Sequence, residues 1–369
     1  MSEESLKYKI GLSLIPKIGD VTAKKLVAYT GSVEAVFNEK KRNLEKIPGI
    51  GPVLAKSIEK QNILVKAEQE VEKVIKNNIN ILFYLDDNFP ERLKHCTDSP
   101  ILLFRKGECD LNSNKILSIV GTRNATNYGK EICEKLIKEL KEKGHNVLII
   151  SGLAYGIDIC AHKAALNNCI ETIAVLGHGL GMIYPAAHRA TAKKIEEKGC
   201  LLTEFLYDDQ PEPPNFVKRN RIVAGLADAT IVIESGTKGG ALITADIANS
   251  YNRDVFAVPG NVNSTWSNGC NKLIKSNKAA LLESADDIEY LLGWDAQKPK
   301  NGVVQRELFH TLSREEQLIV DSIKEEGQTP IDHIFLTTQL PVSKVSALLL
   351  NLEFAGIVKS LPGKIYKII

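Results

Sequence analysis

Ile116-Leu117-Ser118-Ile119-Val120 runs directly into Gly121-Thr122-Arg123-Asn124, after which the pattern changes from strand to helix over 128–142. A second apolar run, 146–150, enters Ser151-Gly152-Leu153-Ala154-Tyr155-Gly156 and is followed by a helical pattern over 157–167. A third, 171–176, enters Gly177-His178-Gly179-Leu180-Gly181. Continuous Ile, Val and Leu stretches suit strands buried on both faces, and their alternation with amphipathic helices builds a parallel sheet. Further strand candidates lie at 79–85, 101–105, 200–204, 228–233 and 254–258. The fold class read from this is α/β, an extended Rossmann-like parallel sheet.

Four of these strands end in glycine-rich or small-residue turns, the fourth being Glu234-Ser235-Gly236-Thr237-Lys238-Gly239-Gly240 after 228–233. In a parallel sheet all four turns fall at the carboxyl edge, where helix N-termini present unpaired N–H groups, so an anion pocket is expected there. The dinucleotide fingerprint G-x-G-x-x-G is absent after 116–120, and Arg123 stands where pyrophosphate would need a small residue. NAD, FAD or any other cofactor is not expected. A guanidinium there suits forked contacts to phosphate oxygens.

Further cations arrive in Asn215-Phe216-Val217-Lys218-Arg219-Asn220-Arg221. On helical spacing Phe216 and Asn220 share a face with Arg219 beside them. Fixed donors for a backbone and a π face for bases are what single-strand binding requires. An ordinary core aromatic remains an equal reading of Phe216.

The chain has 369 residues, with 44% hydrophobic and 25% charged side chains and a net charge of +2, too balanced to grip duplex DNA by bulk charge. No apolar run approaches the ~18–20 residues of a membrane span, and the start, MSEESLKYKI, lacks the apolar core of a secretory signal; the expected compartment is the cytoplasm, with no membrane partner. Seven singly scattered cysteines without a CxxC pair argue for reduced, mostly buried thiols and no metal site.

Charge is uneven: residues 1–80 carry 14 basic and 10 acidic side chains. That segment contains a repeat. Ile15-Pro-Lys-Ile-Gly19 and the seven residues after it match Ile47-Pro-Gly-Ile-Gly51 and its sequel at 7 of 12 positions, 32 residues on. Each copy reads as helix, tight turn, helix, with Gly19 and Gly51 expected to supply positive φ. Such hairpins can aim backbone N–H groups at phosphates, with Lys24 and Lys56 at equivalent places; a helical bundle without that contact is an equal alternative. The domains expected are a helix-hairpin-helix (SAM-like) segment at 1–78, the sheet domain at 79–295, a polar linker at 296–308 and a winged-helix-like module at 309–369. In that last module Ser313 opens a helix with a capping-box pattern. The helix over 342–354 carries only Lys344 against Glu353, so the module is expected to contact protein or serve autoregulation rather than read duplex grooves.

No catalytic constellation emerges. Asp158 and His162 could share a helix face, but Asp158 opposing a helix N-terminus and His162 in a polar niche is the better reading. No Ser-His-Asp order, metal-spaced cluster or Walker lysine is visible. Glu204 and Glu234 are expected as partners of the arginines.

Ile119-Val-Gly-Thr-Arg123, Ser151-Gly-Leu-Ala-Tyr-Gly-Ile-Asp158 with Ala161-His162, Ala174-Val-Leu-Gly-His-Gly-Leu180 with Tyr184-Pro185, Arg219-Asn-Arg-Ile-Val-Ala-Gly-Leu226, Ala241-Leu-Ile-Thr-Ala245 and Val255-Phe-Ala-Val-Pro-Gly260 occur in one continuous order. In this the chain resembles the DNA-processing protein A (DprA/Smf) family over roughly residues 80–290. The resemblance implies a cytoplasmic homodimer that binds single-stranded DNA without sequence preference and helps load the RecA recombinase in natural transformation. It places the DNA pocket at Gly121, Thr122, Arg123, Ser151, Gly152, Phe216, Arg219, Asn220, Arg221 and Lys238. Departures are GTR for the family's GSR, Gly181 where its GLD has a carboxylate, and Gly239 where a serine hydroxyl is usual. The rival is a nucleotide-processing enzyme of the lysine-decarboxylase-like group, whose PGGxGTxxE motif carries a catalytic Glu. Here Gly240 occupies the position of that Glu.

Overall fold

The computed structural model describes residues 3–58, 62–294, 312–327, 329–354, 357–361 and 364–368. The chain divides into two compact units, Met1–Pro299 and Lys300–Ile369.

The first unit opens with six helices, α1 (Glu3–Ser13), α2 (Asp20–Thr30), α3 (Val33–Asn38), α4 (Lys41–Leu44), α5 (Pro52–Ile58) and α6 (Asn62–Lys76). The repeat is two helical hairpins, α1–α2 and α4–α5. Positive φ falls at the third residue of each turn, Lys17 (66°) and Gly49 (90°), not at Gly19 or Gly51 as the sequence reading had it. Gly19 is the extended N-cap of α2 (φ −89°), and its carbonyl accepts the Ala23 N–H at 2.9 Å.

The sheet follows. Its strands are β1 (Asn80–Phe83), β2 (Leu102–Gly107), β3 (Ile116–Val120), β4 (Leu148–Ser151), β5 (Thr172–Val175), β6 (Cys200–Thr203), β7 (Ala229–Val232), β8 (Asp254–Ala257) and β9 (Ala280–Leu281). Between them lie α7 (Glu91–Lys94), α8 (Asn127–Glu142), α9 (Ile157–Asn167), α10 (Arg189–Lys198), α11 (Pro213–Leu226), α12 (Gly240–Ser250), α13 (Asn268–Lys275) and, after β9, α14 (Ala285–Leu292). All eight expected strands form, and the short β9 adds a ninth. Their order is β1-β2-β6-β5-β4-β3-β7-β8-β9. From β6 to β9 every pairing is parallel, whereas β1 and β2 are antiparallel additions at one edge, so the sheet is mixed rather than wholly parallel.

Burial explains the apolar runs: every residue of β3 is buried, packed on one side by Cys133, Leu136 and Ile137 of α8 and on the other by Ile222 and Val223 of α11. The chain winds outward from β3 through β4, β5 and β6, then returns to β7 on the other side of β3. This reversal places a crevice at the carboxyl ends of β3 and β7, the usual ligand position in open α/β sheets.

The helical segment shares an apolar core with the sheet, Ile10, Leu12 and Leu26 clustering with Ile81, Phe83 and Phe104, and polar contacts add to it. Lys9 pairs with Asp86 at 2.7 Å, and Asp20 accepts the Ile101 N–H at 3.0 Å. Lys24 donates to the Ser99 hydroxyl and carbonyl at 2.6 and 2.9 Å. Of the cysteines, five are buried, Cys109 is half-buried and Cys169 is exposed.

The second unit is a winged helix: α15 (Arg314–Glu326), β10 (Thr329–Pro330), α16 (Ile331–Thr338), α17 (Val342–Phe354) and the hairpin β11 (Val358–Leu361) and β12 (Ile365–Ile368). The expected capping box forms between Ser313 and Glu316. The expected linker, 296–308, lies outside the described residues. No helix among the described residues is long and apolar enough to cross a membrane.

Candidate nucleic-acid interface

The crevice between β3 and β7 opens into a cleft of about 490 Å³. One wall is the β3–α8 turn, Val120 to Arg123; another is the β7–α12 turn, Ser235 to Ala241; the third is the first half of α11. Backbone hydrogen bonds hold the two turns together: Thr122 N–H donates to the Glu234 carbonyl at 2.7 Å, and Ile233 N–H to the Val120 carbonyl at 3.1 Å. The α12 N-terminus meets the cleft at Gly239 and Gly240, and its N-cap has no side-chain hydrogen bond. Helix N–H groups there face the cavity with the positive end of the helix dipole.

Phe216 enters from α11. A Cβ on Gly177 would sit 2.8 Å from the Phe216 ring, so only glycine at the end of β5 leaves room for it. The ring is half-buried, lies against Tyr184 (centroids 5.8 Å apart) and carries the Arg123 guanidinium 5.8 Å from its centre. Arg123 is exposed, as is Lys238; neither has a carboxylate within 4.0 Å among the described residues. Asn220 lies one turn beyond Phe216 on the same face.

Arg219 forms the floor and is only 4% exposed. Its guanidinium lies flat on Gly152, where an added Cβ would come 1.9 Å from Nη1, and Nη1 donates to the Val175 carbonyl at the end of β5. Nε has no partner. No described carboxylate lies within 4.0 Å of this guanidinium. Burial pushes its pKa down, against the field of Asp158. Asp158 is itself buried, and desolvation raises its carboxyl, opposed by Arg219 and by the N–H groups of Ala154 and Gly152. A desolvated cation with incomplete compensation, open on its cleft side, is a receptor for an anion.

The structure therefore gathers Gly121, Thr122, Arg123, Phe216, Arg219, Asn220 and Lys238 around one cavity. Three residues of the sequence reading do not line it. Ser151 is wholly buried and its hydroxyl donates to the Ile119 carbonyl at 2.6 Å; Gly152 lies beneath Arg219. Arg221 points the other way. It donates to Glu204, to Asp20 at 3.2 Å and to the Asp98 carbonyl, bracing α11 against α2. Arg221 lies five positions after Phe216, so at 100° per residue the two sit on different faces of α11.

Glu204 does serve the cations, pairing with Arg221 and, at 2.8 Å, with Lys218. Glu234 does not: it accepts the Thr126 N–H and hydroxyl at 2.9 and 2.6 Å, fastening the start of α8. Lys24, engaged with Ser99, is closed to ligands, whereas Lys56 remains exposed. His162 is buried, with Nδ1 on the Thr172 hydroxyl at 2.8 Å; burial, Arg219 and His188 lower its pKa to about 3, so it is neutral. His178 donates Nδ1–H to the Gly179 carbonyl and accepts the Tyr184 N–H, an orienting role. Tyr184 and Trp266 also line the cleft, and neither was assigned to it from sequence. Both sit in loops, where no periodicity marks a facing side chain.

The family model for DNA recombination-mediator protein A matches residues 80–293 of this chain, which includes every wall of the cleft. The chain belongs to that family. A DprA winged-helix model matches residues 310–364 of this DprA-family chain, and a helix-hairpin-helix model matches 10–61. It is 31% identical to Protein Smf of Synechocystis over the full length of both chains. It is 41% identical to the DNA processing protein DprA of Streptococcus pneumoniae over 204 residues, 55% of this chain and 71% of that one. The solved structure of DprA from S. pneumoniae superposes with a TM-score of 0.66 at 32% identity, over 77% of this chain and 97% of that one. DprA from Helicobacter pylori, solved for its single-stranded DNA binding mode, gives 0.53 at 29% identity, over 59% and 97%.

Proposed function

We propose that this DprA-family chain binds single-stranded DNA without sequence preference in the β3–β7 cleft, as a homodimer in the cytoplasm, and delivers it to the RecA recombinase. The observation that carries the reading is Arg219: a buried guanidinium, unpaired by carboxylate among the described residues, on the floor of a cleft that also holds the free cations Arg123 and Lys238. Phosphates would be received by these cations and by the α12 N–H groups, and a base by the rings of Phe216 and Tyr184. Every base offers a π face, so such a site does not select sequence. The H. pylori relative's single-strand binding supports the same assignment here.

The enzymatic alternative lacks the Glu of its motif, since position 240 is glycine; of the nearby carboxylates, Glu234 is engaged by Thr126, and Asp158, which lines the cleft, is held by the N–H groups of Ala154 and Gly152 and the field of Arg219. In the winged helix Lys344 is paired with Glu315 at 2.6 Å, which supports a protein partner for α17 rather than duplex DNA. The test is fluorescence anisotropy with a labelled oligonucleotide, single-stranded and as duplex, over a salt series. Tighter binding of the single strand, falling linearly in log K against log salt, is expected. Equal or preferential duplex binding overturns the proposal.

A further inference from the structure

We propose that a strand seated in the cleft leaves it past Arg123 and continues along a second groove formed between α8 and α9. This rests on the reading of the cleft given above and extends its ligand beyond the nucleotides that the cleft encloses.

The groove, about 770 Å³, is lined by the β3–α8 turn at Arg123, Asn124 and Ala125, by Lys130 and Glu134 of α8, and by Tyr155, Ile159, Cys160 and Lys163. Arg123 lines both cavities, so their contents are neighbours. The lining holds three cations against one carboxylate. Lys130 and Lys163 are exposed, and neither has a carboxylate within 4.0 Å among the described residues, although Glu134 follows Lys130 by one turn. Both ammonium groups are therefore within reach of a phosphate lying in the groove. Tyr155 is 48% exposed, and its ring is held edge-on to buried His188 with centroids 4.9 Å apart. An anchored, half-open aromatic is a stacking platform.

The two cavities thus repeat one composition on either side of Arg123: a ring (Phe216, Tyr155) beside unpaired cations (Lys238 and Arg219; Lys130 and Lys163). A linear polyanion with a base at each repeat matches that series, and a mononucleotide does not need it.

The experiment compares the full-length chain with a Lys130→Ala, Lys163→Ala double variant and a Tyr155→Ala variant, using oligothymidylates of about 4 to about 16 nucleotides. Thermal melting checks that each is folded. For the longest oligonucleotide the double variant should bind about tenfold more weakly at low salt, with the log–log salt slope reduced by about 1.4, two contacts at about 0.7 each. The shortest oligonucleotide that binds should be unaffected. Tyr155→Ala should weaken only the longer oligonucleotides, leave the slope unchanged, and be rescued by Tyr155→Trp. Unchanged affinity and slope for every length, with the parent chain still binding, overturns the groove and leaves the cleft standing. Equal losses at all lengths overturn the division into cleft and extension. A parent chain that binds no single strand removes both proposals.

Discussion

Replacing Arg219 by methionine separates a ligand receptor from a structural strut. The substitution removes a guanidinium that is 4% exposed and has no carboxylate within ion-pair distance among the described residues. Holding such a charge out of water costs several kcal/mol even after relaxation, and removing it relieves that penalty. Against this stands the lost hydrogen bond to the Val175 carbonyl, about 1 to 3 kcal/mol if that acceptor is left unsatisfied. Asp158 also loses its compensating cation but keeps the N–H donors of Ala154 and Gly152. The expected net is a variant within about 2 kcal/mol of the parent. Single-strand affinity should fall about 10- to 100-fold, since charged hydrogen bonds are worth about 1.5 to 3 kcal/mol, and the salt slope should drop by about 0.7. Urea unfolding and anisotropy in a salt series give both quantities. A variant destabilised by more than about 3 kcal/mol that binds as tightly as the parent would refute the reasoning and make Arg219 a strut.

Arg221→Met should do the reverse, losing up to about 3 kcal/mol of stability because buried Glu204 keeps only Lys218 and Asp20 loses its cation, while the folded fraction keeps its DNA affinity; denaturant melts with anisotropy below the transition check this. Phe216→Ala should weaken binding by about 1 to 3 kcal/mol with the salt slope unchanged, because stacking releases few ions, and Phe216→Trp should restore it. His162 is held neutral, its pKa lowered from about 6.5 to about 3. Below about pH 6.5 the unfolded state therefore binds the extra proton, and stability, full above that value, declines toward pH 3. The decline from neutrality to about pH 5 amounts to about 2 kcal/mol. His162→Gln should lose that part of the pH dependence in urea melts, and an identical pH profile would contradict the assignment.

Much of this site was legible in the sequence because its parts are periodic. Strands buried on both faces announce themselves as apolar runs, and the four turns gather at one edge because β5, β4, β3 and β7 are adjacent and parallel. The antiparallel direction of β1 and β2 was not legible: a buried run has the same composition whichever way it points. In the hairpin repeat the glycines common to both copies drew the positive φ, but the strained position is held by Lys17 in one copy and Gly49 in the other. Alignment of Lys24 with Lys56 likewise concealed that one is bonded to Ser99 and the other exposed. Composition grouped Arg219 with Arg221; only the helical angle between them, and the carboxylates supplied by distant Asp20 and Glu204, assign one to the cleft and the other to the core. The distinction between Ser151 as ligand and Ser151 as buried support depends on the Ile119 carbonyl, which no spacing reveals.

A crystal structure of the full-length chain with a short oligothymidylate tests the central claim most directly. It should place a phosphate within hydrogen-bonding distance of Arg219 and Arg123 and a base against Phe216. An oligonucleotide bound elsewhere, with the β3–β7 cleft unfilled and the Arg219 guanidinium still facing only the Val175 carbonyl, would contradict it.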